Sequence, residues 1–276
     1  MDRRLTPANA RAALESLRGQ VDAARFVPGE AARVAVALTD LLKAPEGARD
    51  RQLIWGDAVT VIDRHEGWAF VQAAKDGFCG YLRADHLGAA EDATHWVASI
   101  GTHLYEGPKV QHRERAALTL GARVTVIGQV GRWAETPQGF VPADHLKPLG
   151  QYHPDPAGVA QMFLGTPYLW GGNSRAGIDC SGLVQAAFLA CGLPLPGDSD
   201  LQAQCGTPLS EGEALRRNDL IFWNGHVALA LSDQVMIHAT AARMAVVEEN
   251  TASAIARILA AGDGPVTGRR RISRSA

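Results

Sequence analysis

The first half of the chain is written twice. Leu53-Ile54-Trp55-Gly56-Asp57-Ala58-Val59-Thr60-Val61-Ile62 is echoed by Leu118-Thr119-Leu120-Gly121-Ala122-Arg123-Val124-Thr125-Val126-Ile127. Gly67-Trp68-Ala69 is echoed by Gly131-Arg132-Trp133-Ala134, and Gly77-Phe78-Cys79-Gly80-Tyr81-Leu82 by Gly139-Phe140-Val141-Pro142. Ala84-Asp85-His86-Leu87 returns as Ala143-Asp144-His145-Leu146. Such self-similarity means that one supersecondary unit occurs twice. Each copy is a set of short apolar runs broken by glycine and polar turns, the pattern of a small antiparallel barrel. Two barrels are therefore expected, over 32–90 and 94–149. Trp68 and Trp133 are expected in the barrel cores, and the recurrent His86 and His145 to be structural. Residues 1–31 read as a helical extension ending at Pro28-Gly29. The stretch 149–156, with Gly150, Pro154 and Pro156, reads as a linker.

The second half carries the chemistry. In Asp179-Cys180-Ser181-Gly182 a cysteine opens a helix that runs to about Cys191. Asp179 is a good N-cap, Gly192 a good stop, and Pro194 and Pro196 forbid continuation. A thiol in the first turn of a helix feels the positive end of the macrodipole, which favours thiolate. A lone cysteine is more often a small buried apolar residue, so the assignment of Cys180 as a nucleophile depends on a histidine partner.

Two histidines supply one. His226 opens the run Val227-Ala228-Leu229-Ala230-Leu231, Ser232-Asp233-Gln234 reads as a turn, and Val235-Met236-Ile237-His238-Ala239 reads as the return strand. Side chains alternate faces along a strand. Both histidines fall on even positions, with Ala228 and Ala230, and the larger branched residues fall on odd ones. A turn over 231–233 sets His226 directly opposite His238. The even face then becomes a shelf on which the Cys180 helix packs, although an ordinary solvated face has the same pattern.

The remaining composition excludes more than it assigns. The chain has 276 residues, enough for two or three small domains, and a net charge of −2. That balance indicates neither a nucleic-acid footprint nor a polybasic membrane anchor. Four cysteines, at 79, 180, 191 and 205, have no C-x-x-C spacing, so no metal site is expected and reduced thiols are. No cofactor motif stands out. The segment after Met1 lacks an apolar signal-peptide core, and no apolar run is long enough to span a membrane, so a cytoplasmic location is expected.

Thr166-Pro167-Tyr168-Leu169-Trp170-Gly171-Gly172, Asp179-Cys180-Ser181-Gly182-Leu183-Val184, Asn218-Asp219-Leu220-Ile221-Phe222-Trp223, His226-Val227 and Ile237-His238-Ala239 together resemble the NlpC/P60 cysteine peptidases. The resemblance covers 155–272. The repeated half resembles paired bacterial SH3-like domains. The resemblance implies a multidomain chain, two small all-β SH3-like barrels followed by an α+β papain-like catalytic domain. It implies Cys180 as nucleophile, His226 as general base and His238 as the residue orienting the base. The sequence departs from the family pattern at Asn218, usually Gly, and at Gly197, often Arg.

Members of the family cut peptidoglycan peptides, commonly between D-γ-glutamate and a diamino acid. In relatives of this layout the first barrel walls off the cleft, so that a free L-Ala amino terminus is required and L-Ala-γ-D-Glu is released. By resemblance, Asp179 and Ser181 sit at positions contacting the substrate's amino end. Asp179 thus has two readings, helix cap and ammonium anchor. Tyr168 lines the oxyanion site with the Cys180 amide, and Trp170 of the same motif joins the substrate-binding set. Phe78 occupies a position where relatives carry a tyrosine, Tyr81 replaces a tryptophan, and Glu46 is a candidate carboxylate for the ammonium. The expected partner is a murein-derived peptide, with no nucleic acid and no membrane, and the oligomeric state is left open. Two other readings stand beside a recycling peptidase: an exported cell-wall endopeptidase, and a non-catalytic peptide-binding module.

Overall fold

The structure, a computed structural model, describes residues 1–273. It divides into two compact units, Met1–Gln151 and Tyr152–Ala276.

In the first unit each sequence repeat is a small barrel. The strands Glu30–Val34, Leu38–Leu42, Arg49–Ile54, Ala58–His65, Trp68–Ala73, Cys79–Arg83 and Leu87–Ala89 form one seven-stranded sheet. Period-two alternation puts Val59, Val61, Ala69, Val71, Phe78 and Leu82 into its core. The second copy forms a five-stranded and a three-stranded sheet around Val97, Leu104, Leu118, Val124 and Val141. Trp55 of the first repeat is part of that second core, and its carbonyl accepts from the Arg123 amide at 3.0 Å. The repeated histidines do repeated work. His86 Nδ1 lies 2.8 Å from Thr39 Oγ1, and His145 Nδ1 lies 2.8 Å from Thr102 Oγ1. Trp133 is buried as expected, whereas Trp68 is half-buried and lines a surface pocket.

The N-terminal extension is not the helix expected for 1–31. It holds two three-residue 3-10 turns, Arg3–Leu5 and Glu15–Leu17, and a two-residue parallel pairing of Ala13–Leu14 with Phe26–Val27. Asn9 Oδ1 accepts from the Arg11 and Ala12 amides, turning the chain where a helix would have to run. Ala12, Leu14 and Val27 instead cover Ile62, Phe70 and Cys79 on the outside of the first barrel. Arg11 and Arg25 both reach the buried Asp63.

The second unit is α+β. Helices α1 (Pro156–Gln161), α2 (Cys180–Ala190) and α3 (Thr251–Ala260) accompany the strands β1 (Asp219–Trp223), β2 (His226–Ala230), β3 (Val235–Thr240), β4 (Ala245–Asn250) and β5 (Gly268–Arg271). The sheet order is β5-β1-β2-β3-β4, with a short strand, Thr207–Pro208, outside β5. Helix α2 is buried on most of its circumference, through Leu183, Val184, Ala187 and Phe188. It ends at Gly192, φ 73°, where the Leu193 amide returns to the Phe188 carbonyl. Asn218, the departure from the family's glycine, adopts φ 76°, and its Oδ1 accepts from the Ala157 amide at 2.8 Å. Asparagine tolerates that left-handed conformation better than most residues, and its amide caps the start of α1. Among the described residues no helix is long and apolar enough to cross a membrane.

Candidate active site

Cys180 is the first residue of α2, and Asp179 caps the helix. Asp179 Oδ1 accepts from the Gly182 amide at 2.6 Å and from Ser181 Oγ at 3.1 Å, and Oδ2 accepts from the Gly171 amide at 2.8 Å. The carboxylate therefore ties the loop that carries Tyr168 and Trp170 to the helix start. Gly182 makes that approach sterically feasible, because a Cβ there would lie 2.5 Å from the Gly172 carbonyl. Ser181 is buried, its hydroxyl spent on Asp179 and its carbonyl accepting from the buried Gln202 at 2.9 Å.

His226 and His238 share a face of the sheet, but not through the expected register. The pairing is Leu229 with Ile237 and Ala230 with Met236, which in continuation sets His238 opposite Ala228 rather than His226. The turn is longer than 231–233, because the Leu231 amide donates to the Val235 carbonyl. Beyond those two pairs, among the described residues, β2 and β3 part. β2 stays with β1 as far as His226, and β3 stays with β4 as far as Thr240. The Val227 amide, released by that parting, is directed at Cys180 and helps hold its pKa down.

The rings still meet across the gap, with His226 Nε2 2.9 Å from His238 Nδ1 and the centroids 5.1 Å apart. Trp223, opposite His226 in register, flanks its ring at 5.5 Å. The histidine face is not an open shelf for α2. Ala228 and Met236 pack with Ala254 and Ile258 of α3, while α2 also packs on β2 and β3.

Sequence reasoning missed what lies behind His238. Its Nε2 is 2.8 Å from Glu249 Oε2 on β4, and Glu249 in turn is held by Arg257 of α3. Glu249 stands opposite Met236 in register, which puts it on the histidine face. Only the pairing of β3 with β4 reveals this.

Burial sets the electrostatics. It pushes the Cys180 thiol up to about 12, with the Asp179 carboxylate adding to the rise and the amides of Val227, Ser181 and Cys180 opposing it. It pushes His226 down to about 3, with His238 and Arg257 adding to the fall. His238 is also lowered by burial, against the pull of Glu249. Neither isolated charge is favoured. A proton passing from thiol to imidazole creates two opposite charges together, each relieving the other. Tyr168 is pushed up to about 12, by burial first and then by the charges of Cys180 and Asp179. Trp170, 65% exposed, is on the same loop.

The remaining substrate-binding expectations fall in the first unit and do not stay together. Phe78 is 1% exposed, in the barrel core beneath the Arg51 guanidinium, and is removed from the candidate set. Alternation explains it: residues 78 and 82 share the inner face, and Tyr81 takes the other. Tyr81 and Glu46 do line one pocket, of about 370 Å³, with Arg11, Asp63, Trp68 and Phe70. Among the described residues no group of His, Cys, Asp and Glu is arranged to hold a metal ion, and all four cysteines are free thiols.

A thiol at a helix start and a pair of hydrogen-bonded imidazoles on an antiparallel sheet are the elements a papain-like cysteine hydrolase uses. A profile of the NlpC/P60 family matches residues 165–260, and one of the bacterial dipeptidyl-peptidase SH3 domain matches 41–87. Dipeptidyl-peptidase 6 of Lysinibacillus sphaericus is 26% identical over 218 residues, 68% of this chain and 79% of that one. The γ-D-glutamyl-L-lysine dipeptidyl-peptidase of Bacillus cereus is 27% identical over 231 residues, 71% of this chain and 69% of that one. The crystal structure of an NlpC/P60 family protein from Bacillus cereus shares the fold, with a TM-score of 0.73 and 21% identity, over 88% of this chain and 99% of that one. The chain therefore carries an NlpC/P60 cysteine peptidase domain over residues 165–260, preceded by a bacterial SH3 domain over 41–87.

Proposed function

We propose that the protein hydrolyses the bond between D-γ-glutamate and a diamino acid in murein stem peptides, taking those with a free amino-terminal L-Ala and releasing L-Ala-γ-D-Glu. Its role is then the recycling of murein peptides. The observation that carries the reading is a thiol, Cys180, at the capped start of α2 together with the hydrogen-bonded series His226, His238 and Glu249 on the sheet. The similarity to a dipeptidyl-peptidase and to a γ-D-glutamyl-L-lysine dipeptidyl-peptidase supports the class of bond cut.

In this reading His226 takes the Cys180 proton, and the sulfur attacks the γ-carbonyl of D-Glu. The oxyanion forms at the helix start, facing the Cys180 amide and the Tyr168 phenol. The cationic His226 then protonates the departing amine, leaving a thioester. Water, deprotonated by the same imidazole, releases the acid and restores the thiol.

Selection of the amino terminus rests, in this reading, on the Asp179 carboxylate beside the nucleophile, which suits an ammonium group. Mass spectrometry of the purified protein with L-Ala-γ-D-Glu-diaminopimelate tests the reading. Free tripeptide should yield L-Ala-γ-D-Glu, and its N-acetylated form should resist. Equal rates on both, or release of soluble fragments from intact sacculi, would make it a wall endopeptidase instead. No cleavage of either, with an unreactive Cys180, would leave a binding module.

A further inference from the structure

Glu249 is in contact with His238 but outside the set of residues that sequence or resemblance assigned. Its carboxylate carries an ion pair with Arg257, and the Arg243 guanidinium lies 4.0 Å from its other oxygen. Its pKa is lowered despite partial burial, through its hydrogen bonds to His238 and Arg257. It is therefore ionised, and an ionised carboxylate only accepts. The proton in the 2.8 Å contact must belong to His238 Nε2. His238, neutral because burial lowers its pKa, then presents a bare lone pair at Nδ1. The 2.9 Å contact with His226 can be filled only by a proton on His226 Nε2. That leaves Nδ1 of His226 unprotonated.

We propose that Glu249, held by Arg257, is a positioning residue that fixes the tautomers of both imidazoles in series and so makes Nδ1 of His226 the basic nitrogen. The inference rests on the reading of Cys180 and His226 as nucleophile and base. As the thiol proton arrives at Nδ1, the Nε2 proton stays in its bond to His238, and none passes to Glu249. Without the carboxylate, His238 is free to carry its proton on Nδ1 and to donate it toward His226. His226 would then have its own proton on Nδ1, where it blocks the thiol. Arg257 has a complementary part. Its charge offsets that of Glu249, so the carboxylate orients His238 without making it cationic. The charged groups acting on the pair are Glu249 from β4 and Arg257 from α3, and Arg243 from the turn before β4 reaches Glu249.

The test combines imidazole nitrogen NMR with kinetics on the full chain. Spectra of 15N-histidine-labelled Cys180→Ala protein, which has no thiol proton to move, should show both His226 and His238 protonated at Nε2 only. Adding Glu249→Ala should shift His238 toward the Nδ1–H form and mix the His226 tautomers. With Cys180 present, Glu249→Ala should lower kcat by about 10- to 1000-fold on L-Ala-γ-D-Glu-diaminopimelate, with KM changed far less. Glu249→Gln still offers a carbonyl oxygen to His238, so it should keep the tautomers and most of kcat. Because it removes the charge that favours cationic imidazole, its acid limb should move to lower pH. Wild-type tautomers in the Glu249→Ala spectra, or kcat within about twofold of wild type, overturn the proposal. If Glu249→Ala does not fold, an unmoved acid limb in Glu249→Gln does so. Turnover by Cys180→Ala would instead remove the underlying assignment of nucleophile and base.

Discussion

His226 and His238 touch through Nε2 and Nδ1 at 2.9 Å although the strand register sets His238 opposite Ala228. The contact forms where β2 and β3 have parted. The same parting exposes the Val227 amide to the thiol, so one departure from regular pairing serves both the histidine pair and Cys180.

Cys180→Ala should abolish turnover while leaving the fold intact, since alanine fills a helix start well. Loss of a covalent nucleophile removes several orders of magnitude in rate. Residual activity above about one per cent of wild type would contradict the assignment. Cys79, Cys191 and Cys205 as serine should each keep kcat. For the buried Cys79 and Cys191 a lower melting temperature is expected, because a hydroxyl replaces a thiol in an apolar site.

His226→Ala should lower kcat more than His238→Ala, because a mis-oriented base is better than none. A general base contributes about 10²- to 10⁴-fold. Steady-state kinetics of the two variants, with thermal melts as a control for folding, gives the order. A larger loss in His238→Ala would reverse the roles.

Stability should fall on mild acidification. Burial depresses the pKa of both histidines, so below the ordinary histidine range the unfolded chain binds protons that the folded one refuses. Their contribution is complete above about pH 6.5 and is lost as the pH falls toward the depressed folded values. Urea unfolding at pH 7.5 and pH 5 measures it, and His238→Gln should flatten the difference. An equal pH dependence in that variant would show that other groups are responsible.

Asn218→Ala should destabilise the protein by about 2 kcal/mol, from the lost cap to α1 and the left-handed backbone together. Asn218→Gly should cost about half of that, since glycine accepts φ 76° and only the cap is missing. Denaturant midpoints of the two variants settle it, and equal midpoints would mean that the backbone conformation carries no strain.

Much of the design was legible locally. The repeat announced two barrels, and the histidines recurring within it bond equivalent threonines, Thr39 and Thr102. Asp179 marked the start of α2, and even positions put His226 and His238 on one face. Phe78 was legible too, in the alternation it shares with Leu82, but the resemblance to a tyrosine position drew it outward. The N-terminal segment misled because its weak helical pattern is overridden by burial of Ala12 and Leu14 on the barrel.

The sequence by itself determined which residues alternate, which cap and which carry nucleophilic or basic atoms, because those properties depend on neighbours within a turn or a strand. Tertiary structure alone decided that β2 and β3 part, that the histidine face lies under α3, and that Glu249 and Arg257 stand behind His238. Register is fixed by turn length and by the packing of both faces of the sheet. A pattern of period two has the same parity for any shift of two residues, so it names the face and cannot name the partner.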